Sequence, residues 1–320
     1  TLEFPFPSYR KGQRELAVAV YKTIKEGRSL FAQAPTGIGK TMSTLYPALK
    51  VMGEDKIEKI FYLTAKTLTR EVPRYSMELL KSRGLRAKTL VITAKEKICL
   101  NDEVKCNPKD CPYAKGHFDR VNDAIIELFD NEDFLTRDAI ARYSEKHRVC
   151  PFEYQLDMSL WSDVIICDYN YVFDPQVYLR RFFEIEKGSY VFLIDEAHNL
   201  VDRSREMFSA DLRKSELAEV KSLVKDRAPK LYKAINGVIK VINRESKREG
   251  IREGFYQREE ITDLYFPIKK VLTVMEGYLT EQRDTEGYEK VLELYFNLTR
   301  FIRISDIYGD SFVTTLQESS

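Results

Sequence analysis

The sequence Ser29-Leu30-Phe31-Ala32-Gln33-Ala34-Pro35-Thr36-Gly37-Ile38-Gly39-Lys40-Thr41 contains the pattern that decides the fold. Residues 29–33 form a short apolar run that predicts a strand, and residues 41–51 have the spacing of a helix. Glycines between them allow backbone N–H groups to converge on phosphate oxygens, while Lys40 neutralises the terminal phosphates and the Thr41 hydroxyl suits a Mg²⁺ ion. A phosphate-binding loop is therefore predicted, with a chance glycine-rich turn as the alternative. Its lining residues would be Ala34, Thr36, Gly37 and Gly39.

Short apolar runs further along the chain predict a parallel sheet behind this loop. β-Branched and aromatic residues dominate residues 59–64 and 88–93, which are separated by a helical pattern. Alternation of strands and helices is typical of βαβ units and so of an α/β fold. Residues 163–167 and 190–194 are nearly continuous apolar runs, which predict strands buried on both faces. Residues 94–161 lack the pattern of a strand and interrupt the sheet.

Two adjacent carboxylates follow the last of these runs. Asp195 and Glu196 open the sequence Asp195-Glu196-Ala197-His198 at the carboxyl end of a strand, where parallel sheets bind their ligands. Because successive residues point in different directions, Asp195 is predicted to complete a Mg²⁺ shell while Glu196 faces a water in line with the γ-phosphate. Without the upstream loop, the same pair would be interpreted as a solvated turn.

Four of the five cysteines lie in the stretch that interrupts the sheet. Cys99, Cys106, Cys111 and Cys150 are separated by 6, 4 and 38 residues, and Pro follows both Cys111 and Cys150. Four thiolates are able to cap an iron–sulfur cubane or to close a tetrahedral zinc shell, although zinc ribbons pair their ligands in Cys-x₂-Cys knuckles that are absent here. Scattered core thiols are a third interpretation, and the spacing alone leaves all three open.

Several neighbouring residues are predicted to have structural roles only. Cys167 lies within a predicted strand and is interpreted as a buried thiol. His117 and His147 are each followed closely by an arginine and are interpreted as surface residues. Trp161 lies next to an apolar strand and is expected to pack in the core.

Charge is uneven along the chain although its total is nearly balanced. The sequence has 51 Lys and Arg against 50 Asp and Glu, yet residues 1–100 contain 19 basic and 9 acidic residues. This local surplus is able to hold a polyanionic partner, but composition alone favours the alternative that Lys and Arg solvate the outer faces of helices. Residues 1–7 lack the pattern of a signal peptide, and no apolar run is long enough for a membrane helix, so a cytoplasmic protein is expected.

The Lys40 loop and residues 195–198 together resemble motifs I and II of superfamily 2 helicases of the DEAH-box type. The long cysteine-bearing insert between them narrows the resemblance to the XPD/DinG-like family of iron–sulfur DNA helicases. The sequence Tyr9-Arg10-Lys11-Gly12-Gln13 resembles the family's glutamine motif, which implies that Gln13 lies near the adenine. Residues 62–67 resemble motif Ia, which implies DNA contacts by Lys66 and Thr67. Residues 168–175 are similar to the family's Asp-Tyr-Asn-Tyr segment.

This resemblance implies an α/β, RecA-like P-loop domain with a parallel sheet, formed by residues 1–94 and 160–205. Residues 95–159 would be an iron–sulfur insert in which the four cysteines hold a [4Fe–4S] cluster, and residues 206–320 would be an all-helical arch insert. A second motor domain is expected to be absent from this chain, because nothing after His198 resembles motif III or the Gln-x-x-Gly-Arg-x-x-Arg motif. An arginine from that motif would stabilise phosphoryl transfer, so the chain alone is expected to bind nucleotide, hydrolyse it very slowly and unwind nothing.

The function implied by the resemblance is that of an ATP-dependent DNA helicase of the repair or replication type, moving 5′ to 3′. ATP and Mg²⁺ are the implied cofactors besides the cluster, with Lys40, Asp195 and Glu196 as the catalytic residues. Single-stranded DNA and single-strand/double-strand junctions are the implied partners of a monomer. A nucleotide-regulated DNA-binding module with a structural zinc site is the alternative. A metabolic P-loop kinase or GTPase is disfavoured, because the sequence has no Asn-Lys-x-Asp motif and the cysteines would be unexplained.

Overall fold

The computed structural model describes residues 2–54, 56–65, 70–185, 188–247, 255–282 and 285–317. The chain divides into two compact units, Thr1–Arg203 and Ser204–Ser320. The first unit contains the parallel sheet, and the second is mainly helical.

Five parallel strands form the sheet of the first unit. They are β1 (Lys59–Thr64), β2 (Thr89–Val91), β3 (Phe134–Leu135), β4 (Val164–Asp168) and β5 (Tyr190–Ile194). The strand order is β3-β2-β4-β1-β5, with every neighbouring pair parallel. All carboxyl ends therefore share one edge, where Thr64 of β1 is paired with Asp168 of β4 and Leu63 with Ile194 of β5. This is the edge at which parallel sheets bind ligands.

Helices pack around the sheet, and Gln13, Lys40 and Thr41 are the candidate residues that lie on them. Those of the first unit are α1 (Gln13–Lys25), α2 (Lys40–Met52), α3 (Glu71–Lys81), α4 (Lys95–Ile98), α5 (His117–Asn131), α6 (Arg137–His147), α7 (Pro151–Met158) and α8 (Asn170–Phe173), while α9 (Leu200–Met207) crosses the boundary between the units. The apolar stripe of α2 includes Leu45 and Leu49, which pack with Ile60 and Tyr62 of β1 in one buried cluster. The opposite face of β1 presents Phe61 to an aromatic cluster, as the two-residue period of a strand requires.

The structure confirms four of the predicted strands and corrects the fifth. Residues 29–33 form no strand, and the Phe31 side chain is 94% exposed, because an apolar run becomes a strand only where a neighbouring strand pairs with it. The prediction of burial on both faces is right for β4 and wrong for β5. As an edge strand, β5 has a single neighbour and leaves Phe192 40% exposed. Residues 94–161 were expected to lack strands, but they contain the short β3.

The described part of the second unit, after α9, is built on four α-helices. They are α10 (Lys214–Leu223), α11 (Pro229–Glu245), α12 (Tyr265–Glu281) and α13 (Tyr288–Asp306). Apolar residues recurring every three or four positions form its core, including Leu217, Ile235, Val271 and Leu298. The expectation of an all-helical unit is wrong in one detail, since β6 (Phe255–Gln257) pairs antiparallel with β7 (Thr314–Leu316). Among the described residues, no helix is long and apolar enough to cross a membrane.

Candidate functional site

The glycine-rich loop leads directly into helix α2. Gly37 has a φ of +84° and Gly39 a φ of +88°, a left-handed conformation that glycine adopts without a steric penalty. Gly39 is the N-cap, so the first N–H groups of the 13-residue helix are free of helical partners and point toward the loop. Such a helix start is suited to an anion, and Lys40 adds a cation at the first helical position.

Two residues of the predicted glutamine motif hold this loop. The Arg10 guanidinium donates a hydrogen bond to the carbonyl oxygen of Gly37, and the Gln13 amide nitrogen lies 3.5 Å from the carbonyl oxygen of Gly39. Gln13 is almost completely buried, and its Oε1 accepts a hydrogen bond of 2.9 Å from the backbone N–H of Arg10. The glutamine side chain therefore supports the backbone of the phosphate loop.

Substitution of Gly37 and Gly39 with alanine should separate two costs, the strain of a left-handed backbone and the crowding of the new Cβ against a neighbouring side chain. We expect Gly39→Ala to destabilise the fold more than Gly37→Ala, because a Cβ at Gly39 would lie 2.4 Å from Gln13 Nε2 whereas one at Gly37 meets nothing within 4 Å. Both variants carry the left-handed penalty of about 1–2 kcal/mol. Urea unfolding of the two variants measures the difference. Equal losses would show that Gln13 moves aside at no cost.

The acidic residues after β5 meet the loop at the carboxyl edge of the sheet. Lys40 Nζ lies 3.1 Å from Glu196 Oε1, and His198 Nδ1 lies 3.4 Å from Glu196 Oε2. Glu196 has a φ of +51° and a ψ of +45°, an uncommon conformation for a residue with a side chain. Strained backbone of this kind is concentrated at functional sites.

Tyr62 joins the two candidate magnesium ligands, a contact that the sequence motifs did not indicate. Its hydroxyl lies 3.5 Å from Thr41 Oγ1 and also interacts with the Asp195 carboxylate. Burial raises the pKa of the Asp195 carboxyl, and the neighbouring Glu196 charge raises it further, while the Tyr62 hydroxyl and Lys40 oppose the shift. Charge repulsion between two adjacent carboxylates is the arrangement that a divalent cation relieves. The side chains of Thr41 and Asp195 are therefore placed to share one ion.

The four predicted ligand cysteines all line one cavity of about 280 Å³. Cys111 Sγ accepts hydrogen bonds from Asn101 Nδ2 at 3.1 Å and from the backbone N–H of Ala114 at 3.3 Å. Cys150 is the N-cap of helix α7. Burial raises the pKa of its thiol, while the N–H groups of Phe152 and Glu153 lower it. Donors directed at sulfur are typical of sites that hold metal-bound thiolates.

The spacing of these side chains tests the metal alternatives. In the described part of the chain, no group of three or more His, Cys, Asp or Glu side chains converges closely enough to hold a metal ion. The metal centre predicted from the sequence, whether a cluster or a zinc site, is therefore not assembled in the described residues, and both alternatives remain predictions.

His117 and Trp161 both depart from the sequence predictions. His117 was expected at the surface, but it is only 3% exposed, lies on the cysteine-lined cavity and accepts a hydrogen bond on Nδ1 from the backbone N–H of Cys150. Trp161 was expected in the core, but it is 55% exposed and lies against Phe129. Both errors arise because burial depends on the packing of α5, which local sequence does not reveal.

The prediction that Cys167 is a buried thiol is confirmed, and this thiol should be chemically inert. It is completely buried in β4, and burial raises its pKa. In protein stripped of metal, we expect iodoacetamide to modify the exposed Cys106 at least about a hundredfold faster, because only an accessible thiolate reacts. Peptide mass spectrometry gives both rates, with guanidinium-unfolded protein as the control for equal reactivity. Native modification of Cys167 at the rate of Cys106 would contradict the packing of β4.

The implied DNA-contact residues Lys66 and Thr67 lie outside the described residues. They remain a prediction from motif Ia. The preceding strand β1 ends at Thr64, on the same edge of the sheet as the nucleotide-site residues.

Comparison with known proteins finds similarity to DNA helicases. Residues 69–217 match the family model DEAD_2. The chain is 25% identical over 315 residues to the general transcription and DNA repair factor IIH helicase subunit XPD/RAD3 of Saccharomyces cerevisiae, covering 87% of this chain and 40% of that protein. It is also 25% identical to the human regulator of telomere elongation helicase 1, covering 68% of this chain and 22% of that protein.

Two solved structures share the fold. A structure titled XPD helicase aligns with a TM-score of 0.58 at 17% identity, over 94% of this chain and 51% of that one. A truncated XPD aligns with the same TM-score and identity, over 95% of this chain and 84% of that one. The chain thus resembles superfamily 2 helicases. Within that class the resemblance predicted from the motifs is confirmed: the chain is similar to the N-terminal portion of XPD-like helicases, and it spans 40% or less of the two curated relatives named above.

Proposed function

We propose that this chain is the ATP-binding first motor portion of an ATP-dependent DNA helicase. The observation that carries the proposal is the 3.1 Å contact between Lys40 Nζ and Glu196 Oε1, which brings together two residues 156 positions apart. The contact places a cation at a helix start beside a strained acidic turn, at the ligand edge of a parallel sheet. Phosphate binding and water activation need these two features side by side.

Each residue of the site has a distinct role in this proposal. Lys40 and the backbone N–H groups of the loop bind the terminal phosphates of ATP, which compete with Glu196 for the lysine. The Thr41 hydroxyl and the Asp195 carboxylate hold Mg²⁺, with Tyr62 fixing their separation. Glu196, once released from Lys40, orients the attacking water. Gln13 supports the loop and, as the resemblance to the glutamine motif implies, lies near the adenine.

The cysteine-lined cavity is proposed to hold a [4Fe–4S] cluster within the insert of residues 95–159. Its ligands would be Cys99, Cys106, Cys111 and Cys150. A cluster there would tie the stretch between α4 and α5, which holds Cys99, Cys106 and Cys111, to Cys150 at the start of α7, so that folding of the insert would be coupled to metal binding. The His117 ring and the backbone N–H groups around Cys111 and Cys150 would orient the sulfurs.

The proposed binding of DNA is supported by the basic surplus of residues 1–100 and by the similarity of this chain to helicases. Residues 1–100 carry the surplus of 10 basic residues, from 19 against 9, and include Lys66 and Thr67. We propose single-stranded DNA and its junctions as the partner, 5′ to 3′ movement, and a monomeric protein in DNA repair or replication. A nucleotide-regulated DNA-binding module with a structural zinc site is the second candidate, favoured only if the cavity binds zinc.

Nucleotide titration tests the proposal directly. We expect saturable, Mg²⁺-dependent binding of a fluorescent ATP analogue, very slow hydrolysis and no unwinding by the 320-residue chain. Hydrolysis is slow because the sequence has no Gln-x-x-Gly-Arg-x-x-Arg segment to stabilise the transferred phosphoryl group. Absence of saturable binding would contradict the proposed function. Rapid DNA-stimulated turnover would contradict the predicted dependence on a further arginine.

A further inference from the structure

The strained conformation of Glu196 needs a structural cause. A residue with a Cβ rarely occupies the left-handed region unless its surroundings determine it. Glu196 does so at the point where β5 ends and the chain turns toward α9, and its carboxylate faces Lys40. The groups that hold the backbone of this turn therefore also fix the direction of the carboxylate.

Tyr169 is the side chain that reaches this turn from another strand. It is completely buried, and it follows β4 at the carboxyl edge of the sheet. Its hydroxyl donates a hydrogen bond to the carbonyl oxygen of Asp195 and lies 3.2 Å from the carbonyl oxygen of Glu196. Asn199 donates two more hydrogen bonds to that second carbonyl, from its backbone N–H at 2.9 Å and from Nδ2 at 3.1 Å.

The residues on either side of Tyr169 hold the chain beyond the same turn. Arg203 Nη2 donates to Asn170 Oδ1 at 2.9 Å and lies 3.4 Å from Asp168 Oδ1. Asp168 Oδ2 is in turn 3.8 Å from the buried Arg70 guanidinium. Residues 168–170 thus contact both the start of the turn and the helix that follows it.

We propose that Tyr169 is a positioning residue for Glu196, holding the acidic turn in its left-handed conformation through the carbonyl oxygens of Asp195 and Glu196. The proposal rests on the proposed nucleotide site, since Glu196 has a water to orient only if ATP binds. It adds to that site a residue that touches neither nucleotide nor metal. Burial, followed by the nearby Asp195 charge, raises the pKa of Tyr169 to about 12, so the hydroxyl remains a donor at neutral pH.

The test compares Tyr169→Phe with Tyr171→Phe. Each variant keeps its aromatic ring and loses only one hydroxyl, and Tyr171 is buried in the same segment. In Tyr169→Phe we expect amide hydrogen exchange of residues 195–199 to accelerate at least about tenfold, because the turn loses a buried hydrogen bond. Single-turnover ATP hydrolysis should fall about 10- to 100-fold, while the Kd for Mg²⁺-ATP should change less than about threefold. Tyr171→Phe should change none of the three.

The other outcomes of these measurements separate the positioning role of Tyr169 from general loosening of the fold and from failure of the proposed function. Unchanged exchange of residues 195–199 in Tyr169→Phe would overturn the positioning role, whatever the hydrolysis rate. Equal acceleration by both variants, extending to the amides of α5, would also overturn it, because it would report general loosening of the fold. If the wild-type protein binds no nucleotide, the proposed function fails, while the exchange measurement still decides whether Tyr169 holds the turn.

Discussion

Replacement of Cys150 with Ser should remove nearly all iron from protein purified without oxygen. The wild type should contain about four irons per chain with matching sulfide, as expected for a [4Fe–4S] cluster on four thiolates. Cys150 is the proposed ligand most isolated in sequence and is the N-cap of helix α7, so its replacement would open one corner of the cavity and leave no nearby cysteine to take its place. Iron, sulfide and zinc analysis with the visible spectrum measures the effect.

A matched control separates ligand loss from general damage. Cys167→Ala removes a thiol that is buried in β4 and does not line the cavity, so this variant should keep its iron. If both variants lost similar amounts of iron, the loss would be explained by destabilisation of the protein and not by removal of a ligand. One zinc per chain in the wild type, without colour, would favour the alternative zinc module.

Metal removal should have a structural consequence in the same region. The four cysteines come from segments spread between residues 99 and 150, and helices α5 and α6 lie between the third and the fourth. We expect chelation to make this insert sensitive to protease while the core around β1 and β4 stays resistant, because metal binding supplies part of the insert's folding free energy. Equal resistance with and without metal would contradict a cluster that organises the insert.

The sequence predicted those features that depend on local pattern and on general rules of sheet geometry. The Asp195-Glu196 pair was expected at the carboxyl end of a strand, and β5 places it there. The Lys40 loop was expected to follow a strand as well, but residues 29–33 form none, and the loop meets this edge through the contact of Lys40 with Glu196. Residues 190–194 were predicted as a strand, and β5 has the same bounds. Its exposed edge was missed, because the identity of a strand's neighbours is a property of the whole sheet.

Other features depend on contacts between distant segments and left no local pattern. His117 is buried because α5 packs near the start of α7, which brings its Nδ1 to 3.2 Å from the Cys150 backbone nitrogen. Tyr62 and Tyr169 lie in segments that resemble family motifs, but those motifs gave no role to their hydroxyls, and only the fold shows the hydroxyls near the acidic turn. A polar atom on an otherwise apolar buried residue was the available clue, since such an atom needs a partner.

Lys40→Ala and Glu196→Gln should separate nucleotide binding from hydrolysis. Loss of the lysine removes a charge-assisted contact to phosphate worth about 1.5–3 kcal/mol, so the Kd for Mg²⁺-ATP should rise about 10- to 150-fold. Glu196→Gln should leave binding intact while lowering single-turnover hydrolysis about 10²- to 10⁴-fold, because the amide orients the attacking water less effectively. Lys50→Ala, at the other end of α2, is the control for general effects of charge removal from this helix.

Binding by Glu196→Gln provides a further check on the geometry. Lys40 is paired with Glu196, and their side chains are 33% and 41% exposed. An ion pair that is so accessible to solvent is worth about 0–1 kcal/mol, so removing the acidic charge should tighten nucleotide binding by no more than about fivefold. Equilibrium titration with a fluorescent ATP analogue measures this change. Binding weakened as much as in Lys40→Ala would assign Glu196 to nucleotide binding, because a residue that only orients water leaves the Kd almost unchanged.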